Sequence, residues 1–207
     1  MGASLIVTAR NEERLKDTMS FLEGKDHSYV IADLSFEDDI NRIVDSLPVI
    51  DGIVLSAGMM KNISSKAIDE IFDVNIISNI KLLSKLLKRK KLAHSASIVL
   101  ISSVSTFNVK VGNSLYSSTK GAMNSFAKAM ALEVAKLKIR VNCIQPGFIP
   151  SNILNKSGIE EDSMLRWYAE RHPLGFGTPT DIANACIYLL SDAAQWVTGS
   201  IFTIDGG

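Results

Sequence analysis

What this chain has little of bounds it first. Net charge is absent, with 22 Lys and Arg against 22 Asp and Glu, so nothing in its charge points to nucleic acid or an anionic membrane as a partner. No uninterrupted apolar run is long enough to span a bilayer. The N-terminus lacks the basic stretch and apolar run of a secretory signal. Histidine is scarce, and the three present (His27, His94 and His172) show no ligand spacing to one another or to cysteine, so no metal site is expected. Cysteine is scarcer still: Cys143 and Cys186 lie far apart, the first in a strand-like run. Two buried thiols in a reducing cytoplasm are the expected reading rather than a disulfide. Repeats, low-complexity tracts and linker-like stretches are also lacking.

What is present suits one domain over residues 1–207, with 46% hydrophobic residues for a single core. Short apolar runs alternate with helix-length amphipathic segments, the pattern of a parallel sheet with helices on both faces. Strands are expected at Ser4–Ala9, Tyr29–Ala32, Gly52–Ser56, Ser97–Ser102, Ile139–Ile144 and Ser200–Ile204. Asn11 can cap a first helix carrying Leu15, Met19 and Leu22 and closed by Gly24. Ser35 with Asp38 reads as a capping box for a second, which Pro48 stops. Further helices are expected over Ala67 to about Lys88, Tyr116–Lys136 and Thr180–Leu190.

The chemistry-bearing stretch is Tyr116-Ser-Ser-Thr-Lys120, with Ser103 thirteen residues ahead of it at the end of an apolar run. A Tyr and a Lys four apart on a helix share a face. A free phenol, with a pKa of about 10, is a poor proton-transfer group at neutral pH, and a nearby positive charge lowers that value. A hydroxyl at a strand end can hold a carbonyl oxygen, which completes an acid/base pair with a substrate holder. Tyr-x-x-x-Lys alone is more often a half-buried Tyr above a solvated Lys. The placement of Ser103 and the order of the surrounding motifs separate the two readings.

Those motifs are Ala32-Asp33-Leu34, Ser56-Ala57-Gly58, Asp73-Val74-Asn75, Ile101-Ser102-Ser103, Tyr116-Ser-Ser-Thr-Lys120, Arg140-Val-Asn-Cys-Ile-Gln-Pro146-Gly147 and the tail Thr198-Gly199 to Gly207. Carrying them in this order from end to end, the chain resembles the short-chain dehydrogenase/reductase family. The likeness is strongest to its 3-oxoacyl-[acyl-carrier-protein] reductases, a subgroup that grades into sugar, polyol and steroid dehydrogenases. The resemblance implies a Rossmann-like doubly wound parallel sheet and hydride transfer between a nicotinamide and a ketone or secondary alcohol. Tyr116, Lys120, Ser103 and Asn75 would be its catalytic residues. Asp33 and Leu34 would meet the adenine, Ser56, Ala57 and Gly58 would let the cofactor approach closely, and Tyr116 and Lys120 would also touch the ribose. Pro146, Gly147, Ile149 and Ser151 would lie over the nicotinamide, with Ser151–Arg171 as a substrate lid. Trp167, Tyr168, Met164 and Leu165 read either as an apolar wall of that lid or as ordinary helix packing. Arg10 follows the strand where an acid would bind a ribose 2′-OH, and an Arg there suits a 2′-phosphate. NADP(H) is therefore favoured over NAD(H), against a simple pairing of Arg10 with Glu13.

Departures from the family pattern matter as well. Ser56 stands where the family has Asn, and the Gly58–Asn75 loop is short. No glycine-rich loop precedes Ser4–Ala9, so the family's first strand and first helix are missing and an N-terminally truncated form is expected. Loss of two or three hydrogen bonds to a pyrophosphate would weaken binding by about a thousandfold. The same absence leaves two strands without a partner at the centre of the sheet. Besides the enzyme, expected as a homodimer or homotetramer acting on a small carbonyl or alcohol, a catalytically inactive form serving as an oligomer subunit or scaffold is the alternative. The basic run Lys88-Arg-Lys-Lys91 reads as a solvated helix end, with docking of an acidic carrier protein as the lesser reading.

Overall fold

The computed structural model describes residues 2–24, 26–61, 63–150 and 166–207. Six parallel strands alternate with helices: β1 (Ile6–Ala9), α1 (Glu12–Ser20), β2 (Ser28–Ile31), α2 (Glu37–Ser46), β3 (Ile50–Leu55) and α3 (Ser65–Phe72). They are followed by a π-helical turn (Asp73–Ile77), α4 (Ser78–Lys88), β4 (Leu92–Ile101), α5 (Ser114–Glu133), β5 (Arg140–Pro146), α6 (Pro179–Leu190) and β6 (Ile201–Ile204). The alternation of apolar runs with amphipathic segments thus folds as expected into an α/β architecture with helices on both faces.

Strand β4 shows why both faces are covered. Ile98 and Leu100 join the cluster formed with Ile40, Val44, Leu83, Leu86, Met123 and Ala127 of α2, α4 and α5. Val99, pointing the other way, joins Ile144, Cys186 and Leu189 of β5 and α6. Side chains two apart share a face, so a strand buried on both sides is apolar throughout.

The sheet is in two pieces. β1 pairs with β2, and β3, β4, β5 and β6 pair in that order; among the described residues no ladder joins β1 to β3. Val54, in the middle of β3, is 38% exposed, whereas Val99 of the internal strand β4 is fully buried. This matches the expectation of two strands facing an unfilled position at the sheet centre. No helix among the described residues is long and apolar enough to cross a membrane.

Local expectations are met unevenly. Asn11 caps α1 by accepting from the Arg14 N–H at 2.9 Å, but α1 ends at Ser20, with Gly24 beyond it at φ +110°. The Ser35–Asp38 capping box does not form. Phe36 is the N-cap of α2, without a side-chain bond, because Asp33 accepts from the Ser35 N–H at 2.9 Å and Asp39 from the Asp33 N–H at 2.6 Å. Local carboxylate bonds here outcompete the box. A capping box forms instead at Thr178, through Asp181 ahead of α6. Within the long helical run one extra residue per turn is accommodated as the π-turn at Asn75, the kind of irregularity common at functional sites.

Arg140, only 8% exposed, shows how β5 grips α6. Its guanidinium donates to the carbonyls of Leu189 at 2.6 Å and Ser191 at 3.2 Å, acceptors at the helix end, and the Leu189 carbonyl also accepts from the Ser97 hydroxyl at 2.8 Å. Burial lowers its pKa below the ordinary guanidinium value, opposed by Asp192 and Tyr188. Replacing Arg140 by Met should cost about 3 kcal/mol in urea denaturation, the scale of charged hydrogen bonds whose partners are left buried. A loss below about 0.5 kcal/mol would show that water satisfies those carbonyls instead.

Candidate active site

The parallel register ends β3, β4 and β5 at one edge, with Leu55 beside Leu100 and Ile101 beside Ile144. The Ser102 N–H continues the ladder, donating to the Ile144 carbonyl at 2.7 Å. Three loops therefore leave the sheet together: Ser56-Ala57-Gly58 after β3, Ser102-Ser103 after β4 and Gly147 after β5. In open α/β sheets this edge is where ligands bind.

Helix α5 is fastened to that edge through Lys120. The Ser102 hydroxyl donates to the Lys120 carbonyl at 3.0 Å, and Lys120 Nζ donates to the Ile101 carbonyl at 2.7 Å. Lys120 is 3% exposed, and burial lowers its pKa to about 8. The neighbouring Cys143 thiol, pushed up to about 12 by burial, is neutral below that range and offers no compensating charge. Tyr116, one turn earlier, has its ring centroid 5.6 Å from Lys120 Nζ. Burial raises the phenol's pKa, a nearby Ser103 hydroxyl draws it back, and Tyr168 raises it further. The expectation that Lys120 lowers the Tyr116 pKa is not met in this geometry. The ammonium is spent on a backbone carbonyl and lies over the ring, so desolvation of the phenol dominates.

Asn75 reaches the same point from the π-turn. Fully buried, it accepts from the Met59 N–H at 2.7 Å and donates to the Met59 carbonyl at 2.9 Å and the Thr119 hydroxyl at 3.0 Å. A side chain at Gly58 would meet Lys120 Nζ at 3.4 Å and Asn75 Oδ1 at 3.5 Å. Asn75 thus ties the β3 loop to α5. The Ser103 hydroxyl accepts from the Ser105 N–H at 3.1 Å, which orients it at the start of a short 3₁₀ turn.

At the C-terminal end of β1, Arg10 pairs with Asp33 at 3.4 Å rather than with Glu13. Burial pushes the Asp33 carboxyl up, but the Ser35 bonds and Arg10 outweigh it and hold its pKa below the usual value. Leu34 packs against the core cluster. After β5, the Gly147 N–H donates to the Ile204 carbonyl at 2.9 Å, and Gly147 has Asp205 Cα only 2.7 Å from where a Cβ would stand. Ile149 is half-buried, with Cδ1 2.6 Å from the position of a Cβ on Gly177. Tyr168 stacks on Phe148 at 4.2 Å, and Trp167 meets Tyr168 edge-on at 4.9 Å, so the pair packs on the segment that leaves β5. Ser151, Met164 and Leu165 lie outside the described residues. The basic run is partly consumed by packing on α2 and the strand beyond it, with Arg89 on Asp45 and Lys91 on the Leu47 carbonyl. A shallow depression of about 400 Å³ along α4, lined by Ile80, Lys81, Ser84, Lys85, Lys88 and Arg89, includes none of the strand-end residues.

Thr119, Ser102 and His172 make contacts that the sequence alone does not announce. Thr119 and Ser102 sat inside the quoted motifs but carried no assigned task. His172, 2% exposed, was weighed only as a metal ligand, and its partner comes from a distant segment that no spacing could reveal.

The whole chain, residues 1–207, matches the family described as enoyl-(acyl carrier protein) reductase. A 3-oxoacyl-[acyl-carrier-protein] reductase FabG of Rickettsia felis is 27% identical over 213 residues, covering 100% of this chain and 87% of its own. Carbonyl reductase family member 4 of Danio rerio is 30% identical over 216 residues with the same coverages, 100% and 87%. Among solved structures, a short-chain type dehydrogenase/reductase of Mycobacterium ulcerans superposes with a TM-score of 0.87 at 30% identity, over 100% of this chain and 80% of that one. The chain belongs to the short-chain dehydrogenase/reductase family, close to its 3-oxoacyl-[acyl-carrier-protein] reductase-like members.

The buried Lys120 has a pH signature. Its folded pKa of about 8 lies below the ordinary lysine value of about 10.4. Between those values the unfolded chain binds more protons, and stability rises with pH. The unfolding free energy of the wild type relative to Lys120→Met should therefore climb from about pH 8 to pH 10. A flat difference would mean that the ammonium is solvated.

Proposed function

We propose that the chain is an NADP(H)-dependent oxidoreductase acting on a ketone or secondary alcohol through Ser103, Tyr116 and Lys120. The observation that carries this reading is their convergence at the end of β4, on a helix locked to that strand end. The bound nicotinamide supplies or accepts the hydride. Tyr116 gives a proton to the carbonyl oxygen, and its raised pKa keeps the phenol protonated at neutral pH, which suits reduction. Ser103 holds that oxygen by its hydroxyl. Lys120, charged below its pKa of about 8 and bonded to the Ile101 carbonyl, fixes α5 at the strand end and would bind the cofactor ribose. Asn75 keeps the β3 loop and Thr119 in place around the ammonium and completes a proton relay.

The residues present fit both ends of such a cofactor. Arg10, with its side chain 67% exposed beside Asp33, suits a ribose 2′-phosphate, and Asp33 with Leu34 suits the adenosine. The loop Ser56-Ala57-Gly58 leaves room for close approach. Pro146, Gly147 and Ile149, with Ser151, would hold the nicotinamide end. The likeness to proteins named 3-oxoacyl-[acyl-carrier-protein] reductase and carbonyl reductase supports a carbonyl substrate. Exposed Ile68 and Ile80 on α3 and α4 and Leu132 on α5 support a homodimer or homotetramer through these helices. Two free buried thiols suit a reducing cytoplasm. The break between β1 and β3 favours one second reading, an inactive chain serving as an oligomer subunit or scaffold.

NADPH oxidation with a panel of small ketones separates the two. Tyr116→Phe should lower kcat/KM by at least about a hundredfold while leaving the thermal unfolding curve in place. Near-normal turnover in that variant would sink the mechanism, and no turnover in the wild type would put the scaffold reading first.

A further inference from the structure

His172 occupies a place that the proposed chemistry does not use. Its Nε2 accepts the backbone N–H of Phe148 at 3.0 Å. A neutral imidazole that accepts at Nε2 carries its proton on Nδ1, and here Nδ1 is buried with no partner among the described residues. The ring is stacked parallel to Tyr168 at 6.1 Å and meets Phe176 edge-on at 6.4 Å. Its Cε1 stands 2.9 Å from where a Cβ on Gly147 would be.

These contacts fix the segment that leaves β5. Gly147 is held by the Ile204 carbonyl, the Phe148 carbonyl accepts from the Gly177 N–H at 3.2 Å, and the Phe148 N–H is taken by His172. We propose that neutral His172 is the positioning residue that pins Gly147–Ile149 at the nicotinamide end of the cofactor, and that protonating the ring releases this segment. The proposal rests on the reading of Pro146–Ser151 as cofactor-facing.

The reason is a donor count. An imidazolium has an N–H at both ring positions and no acceptor, so the ring would face the Phe148 N–H with a second N–H. Both donors would be buried without partners, and the backbone must move to rehydrate them. Histidine is the side chain whose charge ordinarily changes between about pH 5 and 8. Among the described residues, the ionisable groups nearest the ring are Tyr168, stacked on it, and Asp205, which meets Gly147 from the other side; Glu170 and Arg171 lie on its own segment, and Asp181 is at the start of α6. Lys110 lies 5.4 Å over the Tyr168 ring, and Tyr116 of α5 feels Tyr168. Glu170 pairs with Arg171, Asp181 caps Thr178, and Asp205 accepts from the Gly207 N–H at 3.3 Å. These carboxylates are thus engaged elsewhere, and among the described residues none is hydrogen-bonded to the ring.

Two measurements test this. The first follows the His172 ring nitrogens and the Phe148 amide by ¹⁵N NMR on the wild-type chain without cofactor. The Nδ1–H tautomer is expected at high pH, with the Phe148 amide shifting along the same titration curve as the ring. An Nε2–H tautomer, or an amide indifferent to the ring's titration, overturns the pin whether or not cofactor binds. The second is NADPH binding by fluorescence at about pH 8 and pH 5.5, in the wild type and in His172→Gln, which keeps an acceptor oxygen but does not titrate. A phosphate group titrates near pH 6 and affects both proteins equally, so the difference between them is the readout. The wild type should lose about tenfold more affinity than the variant on acidification, the size of one unmade buried hydrogen bond. Equal losses overturn the positioning role. An intact ring–amide coupling with no NADPH binding at either pH instead overturns the cofactor reading of this loop, and with it the role of the pin in binding.

Discussion

The candidate site depends on the register in which β4 lies beside β5. With Ile101 opposite Ile144 and the Ser102 N–H on the Ile144 carbonyl, β5 runs only two residues past the end of β4, and their loops leave the sheet at the same edge. The grip on Lys120 follows from that register. One strand end takes the Lys120 carbonyl through the Ser102 hydroxyl and the ammonium through the Ile101 carbonyl. A one-residue slip would turn every side chain of a strand to the other face, burying Ser97 and Asn142 against the wrong helices and removing Ser103 from Tyr116. The apolar residues on both faces of β4 prevent this.

A lysine held at 3% exposure is costly unless it is paired, and here its partners are a carbonyl and polar neighbours rather than a carboxylate. Burial without a carboxylate partner is what lowers its pKa to about 8. The phenol of Tyr116 is desolvated in the same environment, and its pKa moves the other way. Two groups shifted in opposite directions by one cause, burial at a strand end, make a proton donor with a cation beside it.

The strand pair β1–β2 stands apart from this arrangement. Arg10 and Asp33 are joined across its C-terminal end, yet among the described residues β1 shares no ladder with β3, so the Arg10–Asp33 pair and the Ser103, Tyr116 and Lys120 group belong to separately hydrogen-bonded sheets. Backbone groups at two open edges are a recognised site for strand pairing. What holds the two pieces together is packing instead: Ala32, Leu34 and Val30 join the same apolar cluster as Leu83 and Met123.

Periodicity and motif order in the sequence by themselves determined the α/β class, the parallel alternation, and the family to which the Tyr116, Lys120 and Ser103 pattern belongs. They also anticipated the Asn11 cap and the break at the sheet centre. These are legible because side-chain direction repeats with the backbone period. Only the tertiary structure decided that the Ser35 box loses to Asp39, that Arg10 turns to Asp33, and that Asn75 braces Met59 and Thr119. It also decided the sign of the Tyr116 shift and the meeting of His172 with the Phe148 amide. In each of these cases a polar group had competing partners, near in sequence or far along the chain. Which one it takes is set by burial and by the strand register, quantities that exist only once the chain has folded.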